Sequence, residues 1–250
     1  MKIAILSDIH GNLEALQTVL AKIHTRHLDE VICLGDNIGY GPDSQAVMDL
    51  LEEQKIASVM GNHEMAVKNR ANLAWFNPMA QKALKITLAQ LSASAVAKIC
   101  KLPFFLVKQG LRFVHGVPPA NLFVYLFQVP EKKMIQKLDR LQEHICFVGH
   151  THDLGIISWD GACLTKDKLV PGNCQLDENK KYIINAGSVG QPRDGTPEAK
   201  FLVYDTQIRQ LTVRAVNYPF ADTGRKIIAA GIPKMYAEKL AVGADTVDRG

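Results

Sequence analysis

Five times along this 250-residue chain an apolar run ends abruptly in a short segment of carboxylate, imidazole or amide side chains. Ile3-Ala4-Ile5-Leu6 leads into Asp8-Ile9-His10, and Val31-Ile32-Cys33-Leu34 leads into Gly35-Asp36-Asn37. Ala57-Ser58-Val59-Met60 leads into Gly61-Asn62-His63-Glu64. Phe113-Val114 precedes His115-Gly116, and Ile145-Cys146-Phe147-Val148 precedes Gly149-His150-Thr151-His152. Short apolar, β-branched runs of this length read as buried strands. Polar groups at strand C-terminal ends lie where α/β sheets present ligand sites.

The intervening sequence fits that reading. Leu13, Leu16, Leu20 and Ile23 recur at helical spacing behind the Asp8–His10 loop. Strand Val31–Leu34, loop Gly35–Pro42 and helix Asp43–Gln54, with Asp43 as N-cap, form a second unit. Strand Ile56–Met60 then ends at the turn-forming pair Gly61-Asn62. A β-α-β-α-β start implies a parallel sheet with right-handed crossovers. Residues from about 69 to 102 break the alternation as a helical insertion beside the site, with helices over Pro78–Leu91 and Ala93–Leu102 and a stop at Pro103. Strands Phe104–Lys108 and Leu111–His115 flank the hairpin turn Gln109-Gly110. Helix Pro130–His144 precedes strand Ile145–Val148, and further strands are expected at Leu154–Ser158, Tyr182–Asn185, Phe201–Tyr204 and Leu211–Val216. Thr223–Val242 reads as helix interrupted at Gly231-Ile232-Pro233. The expectation is one domain over residues 1–244 and a frayed tail at 245–250.

Composition narrows the class. A net charge of +4, with no block of lysine or arginine, gives no strong nucleic-acid signal and leans weakly toward a small anionic substrate. Five cysteines without a Cys-x-x-Cys pair read as reduced thiols in a cytoplasmic protein. No apolar stretch approaches the roughly 20 residues of a membrane span.

The polar segments supply mixed oxygen and nitrogen donors, the set that suits hard-to-borderline divalent ions. Asp8 and His10, two residues apart, can reach one ion together. Asp36 is a natural bridge between two ions because an ionised carboxylate has two oxygens. Asn62 offers an amide oxygen, and His115, His150 and His152 offer imidazoles that can serve the same or neighbouring ions. Each piece has a plainer reading: a helix-capping loop at Asp8–His10, a turn at Gly35–Asn37, a left-handed Asn at position 62, a core histidine at 115. Five of the eight histidines nevertheless sit in these segments, whereas His24, His27 and His144 lie at polar helix ends as solvated bystanders.

In this order the motifs resemble the calcineurin-like metallophosphoesterase superfamily. Gly39-Tyr40-Gly41-Pro42-Asp43, His115-Gly116-Val117-Pro118, the run from Asn185 to Gly195 and the tail from Tyr218 through Ala230-Gly231-Ile232-Pro233 to Leu240 are similar to its bacterial diadenosine-tetraphosphatase-like phosphodiesterase branch. The resemblance implies an α/β four-layer sandwich, two facing mixed β-sheets flanked by helices. It implies a hydrolase acting through hydroxide held between two divalent ions, whether Mn, Fe, Zn, Ni or Co. One ion would be held by Asp8, His10, Asp36 and His152, the other by Asp36, Asn62, His115 and His150, with His63 donating a proton from outside the metal shell. The protein-phosphatase branch orients that histidine with an aspartate three residues after the bridging one, a place taken here by Gly39, which leaves Glu64 as a candidate orienting group. Phosphodiester or phosphoanhydride substrates such as dinucleoside polyphosphates are the leading expectation. Arg193 would fork onto a further phosphate, and Tyr40 would stack on a base or bond a phosphate oxygen. The plainer alternatives are Arg193 pairing with Asp194 or Asp43, and Tyr40 packing the loop. Phosphomonoesterase activity, including serine/threonine protein phosphatase activity, and a non-catalytic scaffold of the same fold are the competing readings. Oligomeric state is left open.

Overall fold

A computed structural model describes residues 1–26 and 28–242. His27 and the expected frayed tail, 245–250, lie outside the described residues. The chain opens with β1 (Lys2–Leu6), α1 (Leu13–His24), β2 (Glu30–Cys33), α2 (Ser44–Glu53), β3 (Ala57–Ser58) and α3 (Asn62–Lys68). A 3₁₀ turn (Arg70–Trp75), α4 (Pro78–Gln90) and α5 (Ala93–Ile99) follow. Then come β4 (Phe105–Lys108), β5 (Leu111–Val114), α6 (Glu131–Arg140), β6 (Ile145–Val148), β7 (Leu154–Trp159), β8 (Leu164–Lys168) and β9 (Gly172–Gln175). The chain closes with β10 (Lys181–Ala186), β11 (Ala199–Asp205), β12 (Gln210–Val216), α7 (Phe220–Ala229) and α8 (Met235–Leu240).

The strands form two six-stranded sheets, in spatial orders β3-β2-β1-β11-β12-β9 and β4-β5-β6-β10-β7-β8. Each has a parallel trio, β1 with β2 and β3 in one, β5 with β6 and β10 in the other. Alternation along the strands explains the layering. Ile3, Ile5, Ile32 and Leu34 face Phe113, Ile145, Phe147 and Ile184 in the core between the sheets. Ala4, Leu6 and Cys33 turn the other way, against Leu16, Val19 and Leu20 of α1 and Val47 and Leu51 of α2. Cys146, Val148 and Ile183 likewise pack on Met134 and Leu138 of α6. The result is the expected four-layer sandwich of two mixed sheets flanked by helices. Residues 69–102 pack beside the mouth of the site, where Ile99 of α5 meets Ile38, Met48 and Val67. α4 joins α7 and α8 through Ala83, Ile227, Ile232 and Tyr236.

Several boundaries differ from the sequence expectation. Gly61-Asn62 does not make a turn; Asn62 begins α3. Asp43 occupies the N-cap position of α2 without capping it, because its carboxylate turns to Lys226. α6 stops at Arg140, not His144, with Lys181 Nζ donating to the carbonyls of Leu138, Asp139 and Leu141 at its end. α7 starts at Phe220, ahead of Thr223. β8 and β9 were not expected: both are polar, mostly exposed edge strands that lack the apolar pattern of a buried one.

Candidate metal centre

The ends of β1, β2, β5 and β6 and the start of α3 converge at one edge of the sandwich. Backbone hydrogen bonds hold the loops in register: His10 N–H donates to Asp36 O at 2.8 Å, Gly149 N–H to His115 O at 2.8 Å, and Gly190 N–H to Asp8 O at 3.0 Å. Asp8, His10, Asp36, His150 and His152 all have left-handed backbone, with φ of 53°, 51°, 52°, 69° and 64°. Non-glycine residues rarely adopt this region, and such strain collects at functional sites. Here it aims five side chains at a common point.

All seven candidate ligands are buried there. Three histidines have Nδ1 against a backbone carbonyl: His10 on Ile38 O at 3.2 Å, His115 on Leu34 O at 2.9 Å, and His152 on Gln191 O at 2.6 Å. His150 is reversed, with Nε2 on Phe123 O at 3.3 Å. A carbonyl accepts, so each of these nitrogens carries a proton, and whenever the ring is neutral its other nitrogen turns a lone pair inward. Two lone pairs therefore face each other between His10 Nε2 and His152 Nε2, 3.0 Å apart. Asp8 Oδ1 lies 3.3 Å from His152 Nε2 and is buried without a hydrogen-bond partner. Acceptors packed against acceptors in a buried site call for a cation.

The donor atoms fall into groups whose members all lie within 4.8 Å of one another: Asp8, His10 and His152 in one, and Asp36, His115 and His150 in another. Asn62 Oδ1 stands 3.0 Å from His115 Nε2, on the side of the second group. Asp36 Oδ2 lies between them, 3.3 Å from His115 Nε2 and 3.8 Å from His10 Nε2. Asp36, His10 and His63 form a third, overlapping group, in which His63 Nε2 is 3.8 Å from Asp36 Oδ2.

The charges reflect this crowding. Burial works to raise Asp8 and Asp36, but His152 beside the first and His115 beside the second outweigh it and hold both carboxyls below their usual range. Burial pushes His63 down to about 4 and His150 to about 3, and lowers His10. His115 is the exception: burial is overcome by Asp36, Asp8 and Glu64, which lift it to about 9.

Glu64 does not orient His63. Its Oε2 accepts from the amides of Asp36 and Gly61, both at 2.9 Å, and its Oε1 accepts from Asn37 N–H at 2.7 Å. It ties the Asp36 loop to the start of α3. Asn37, too, faces inward for structure, donating to Ser58 Oγ at 2.9 Å. His63 Nδ1 is buried without a partner, and its ring touches Phe76 edge-on.

Tyr40 and Arg193 lie on the His10 side. The Tyr40 ring is 4.5 Å from both His10 and His63 and stacks on Tyr236 at 4.4 Å. Tyr236 thus covers a face that a base would need. Burial raises the Tyr40 and Tyr236 phenols, and the nearby Arg193 guanidinium opposes that rise. Neither plain partner of Arg193 is free: Asp194 pairs with Lys200 at 3.1 Å, and Asp43 with Lys226 at 2.5 Å. The carbonyls of Ile38, Leu34, Gln191 and Phe123 carried no signal in the sequence, since a backbone acceptor has no side-chain signature, and Tyr236 lay in a stretch read only as helix.

A family model described as the calcineurin-like phosphoesterase superfamily domain matches residues 1–209. The uncharacterised protein MJ0912 of Methanocaldococcus jannaschii is 32% identical over 247 residues, covering 96% of this chain and 98% of that protein. Serine/threonine-protein phosphatase 2 of Escherichia coli is 41% identical over 157 residues, covering 56% of this chain and 70% of that protein. The crystal structure of a metallophosphoesterase from Sphaerobacter thermophilus superposes with a TM-score of 0.84 at 33% identity, covering 97% of this chain and 99% of that one.

Proposed function

This chain belongs to the calcineurin-like phosphoesterase superfamily, and from that premise we propose that it hydrolyses phosphodiester or phosphoanhydride bonds of a small molecule, dinucleoside polyphosphates among the candidates, with two divalent ions. It is a metal-dependent enzyme acting on phosphate esters. In this reading Asp8, His10, Asp36 and His152 hold one ion, and Asp36, Asn62, His115 and His150 the other. Mn, Fe, Zn, Ni or Co would suit these donors. Bound there, the ions supply Lewis-acid neutralisation of phosphoryl charge and activation of water.

The protein's own groups do the rest. Nδ1–H bonds from His10, His115 and His152 to carbonyls fix the rings, so their inward nitrogens need no reorientation when an ion arrives, although His115 must first give up a proton. His63 Nε2 faces the same Asp36 oxygen and is placed to hand its proton to the departing oxygen. Burial pushes His63 down to about 4, and an anionic substrate alongside works in the opposite direction. Asn62, Asp36 and His63 are thus the catalytic set. All five cysteines are free, which supports a cytoplasmic location, and no helix among the described residues is long and apolar enough to cross a membrane.

The observation that carries the substrate class is Arg193: Asp194 and Asp43 are paired with Lys200 and Lys226, and the guanidinium, whose charge reaches Asp153 and Tyr40, is offered to a phosphate beyond the one at the ions. Tyr40 backs that position through Tyr236. The E. coli relative's name favours a second reading, serine/threonine protein phosphatase activity. Turnover decides between them. Bis-p-nitrophenyl phosphate and diadenosine tetraphosphate should be cleaved faster than p-nitrophenyl phosphate or a phosphopeptide. Arg193→Ala should raise KM for the tetraphosphate roughly tenfold and spare the small diester. Preference for monoesters or phosphopeptides, with Arg193→Ala indifferent to chain length, establishes the phosphatase reading instead.

A further inference from the structure

Around His63 and His150 the mouth of the site is rimmed by aromatic rings that the chemistry above leaves unused. Two short segments supply them, the 3₁₀ turn ending at Trp75 and the loop from Asn121 to Gln128. Each is anchored on a histidine of the centre. Phe76 meets His63 edge-on with centroids 5.0 Å apart, and Tyr125 stacks on His150 at 4.2 Å and 12°. Phe123, whose carbonyl holds His150, stacks on Trp75 at 5.5 Å and 28°, joining the two segments. Phe127 extends the Tyr125 stack at 5.1 Å and 11°.

These rings are held in place rather than left loose. Asn121 Oδ1 accepts from the amides of Phe123 and Val124 at 2.9 and 2.8 Å, and Gln128 Oε1 accepts from Tyr125 N–H at 3.1 Å. Yet Trp75 is 73% and Phe127 74% exposed. Large exposed aromatics gathered at the edge of a site mark a binding surface, not core. Trp75 has Phe123 on one side and is otherwise exposed, and the next residue, Phe76, is the one whose ring meets the proton donor His63.

We infer that Trp75, backed by Phe123, is a stacking platform for a nucleobase on the group leaving next to His63. Exposed aromatic rings then lie on the His63 and His150 side, and Arg193 supplies a cation near Tyr40 and Tyr236 on the His10 side. A nucleoside joined to a chain of phosphates has that same order. The inference rests on the phosphodiester or phosphoanhydride reading.

The test compares AMP with ribose 5-phosphate, which share the phosphate and sugar and differ in the base. Affinities for the metal-loaded protein are measured by calorimetry, and Trp75 fluorescence is read by stopped flow in a Trp159→Phe background, where it is the sole tryptophan. AMP should bind roughly tenfold more tightly than ribose 5-phosphate and quench Trp75, in line with the strength of base–aromatic stacking. Trp75→Ala should abolish that advantage, leave ribose 5-phosphate affinity unchanged and retain the metal content. Equal affinities in the unsubstituted protein, or a Trp75→Ala loss shared equally by both ligands, overturn the inference. So does a phosphoserine peptide with a neighbouring aromatic residue depending on Trp75 when AMP does not. Turnover that favours monoesters would overturn the substrate reading above while leaving the base preference measurable, so the two failures are distinguishable.

Discussion

Gly39 packs directly on the unpartnered Nδ1 of His63. A Cβ built at Gly39 would overlap that nitrogen and stand 2.8 Å from Cε1, and the residue's φ of 89° is itself a glycine conformation. The position that bears an acidic orienting group in the protein-phosphatase branch is therefore filled here by the imidazole edge itself. His63 is oriented by packing between Gly39, Tyr40 and Phe76, not by a carboxylate.

Gly39→Ala should consequently displace His63 while leaving the seven donors in place. Loss of a positioned proton donor costs on the order of 10²–10⁴ in rate. The loss should be large for alkyl or nucleoside esters and small for p-nitrophenyl esters, whose leaving group needs little protonation. Kinetics on the two ester types, with metal content measured in parallel, check this. Equal losses on both would mean that His63 does not protonate the leaving group.

Glu64 is fully buried and accepts three backbone N–H bonds from two loops. Burial and the Asp36 carboxylate raise it to about 7, against the pull of those amides. Glu64→Gln keeps the shape but turns an NH₂ toward an amide donor, leaving a buried N–H unpaired at a cost of about 1–3 kcal/mol. Urea denaturation of the metal-free protein should show that loss, and metal affinity should fall with it because Asp36 is released. An unchanged midpoint would show that Glu64 does not brace the loop.

Much of this was legible because strand and ligand signals coincide in the sequence. The apolar runs Ile3–Leu6 and Val31–Leu34, with a helical pattern between them, specified the parallel start, whereas which face meets the second sheet came only from the packing. Asp8, His10, Asp36, His150 and His152 could be singled out because their side chains carry the chemistry. What stayed hidden was of two kinds. β8 and β9 are edge strands with solvent on most of their surface, so no apolar period marks them. The groups that fix the imidazoles, Ile38 O, Leu34 O, Gln191 O and Phe123 O, are backbone atoms that any residue could supply. Glu64 was visible, but its three amide partners depend on two loops meeting in space.

The metal-free protein should have a stability maximum near pH 6.5. His63, His150 and His10 are lowered by burial, the first two to about 4 and 3 from 6.5. As pH falls below 6.5 the unfolded chain takes up protons that these three refuse when folded, so stability drops. Glu64, raised to about 7, binds a proton when folded and offsets one of the three. The net of two protons gives a slope of up to about 2.7 kcal/mol per pH unit between about 6 and 5. His115 has the opposite sign: raised to about 9, its contribution is complete below 6.5 and is lost as pH rises through 9. Urea titrations in chelator across pH 5 to 9 check both limbs. A flat profile from 7 to 5 would contradict the buried-neutral state of these histidines.

Asp36 should be the residue on which both ions depend. Its Oδ1 accepts from His63 N–H at 2.9 Å, which fixes the carboxylate, while Oδ2 faces His115, His10 and His63 together. Asp36→Asn preserves the shape but removes the charge, and the amide either points a nitrogen at imidazole lone pairs or offers one neutral oxygen. Elemental analysis after reconstitution should find two ions in the unsubstituted protein and a marked loss of both in Asp36→Asn. His152→Ala should weaken only one of them, because Asp36, Asn62, His115 and His150 remain to hold the other. One ion or none in the unsubstituted protein, or full retention in Asp36→Asn, would rule out a shared carboxylate and with it the two-ion reading of this centre.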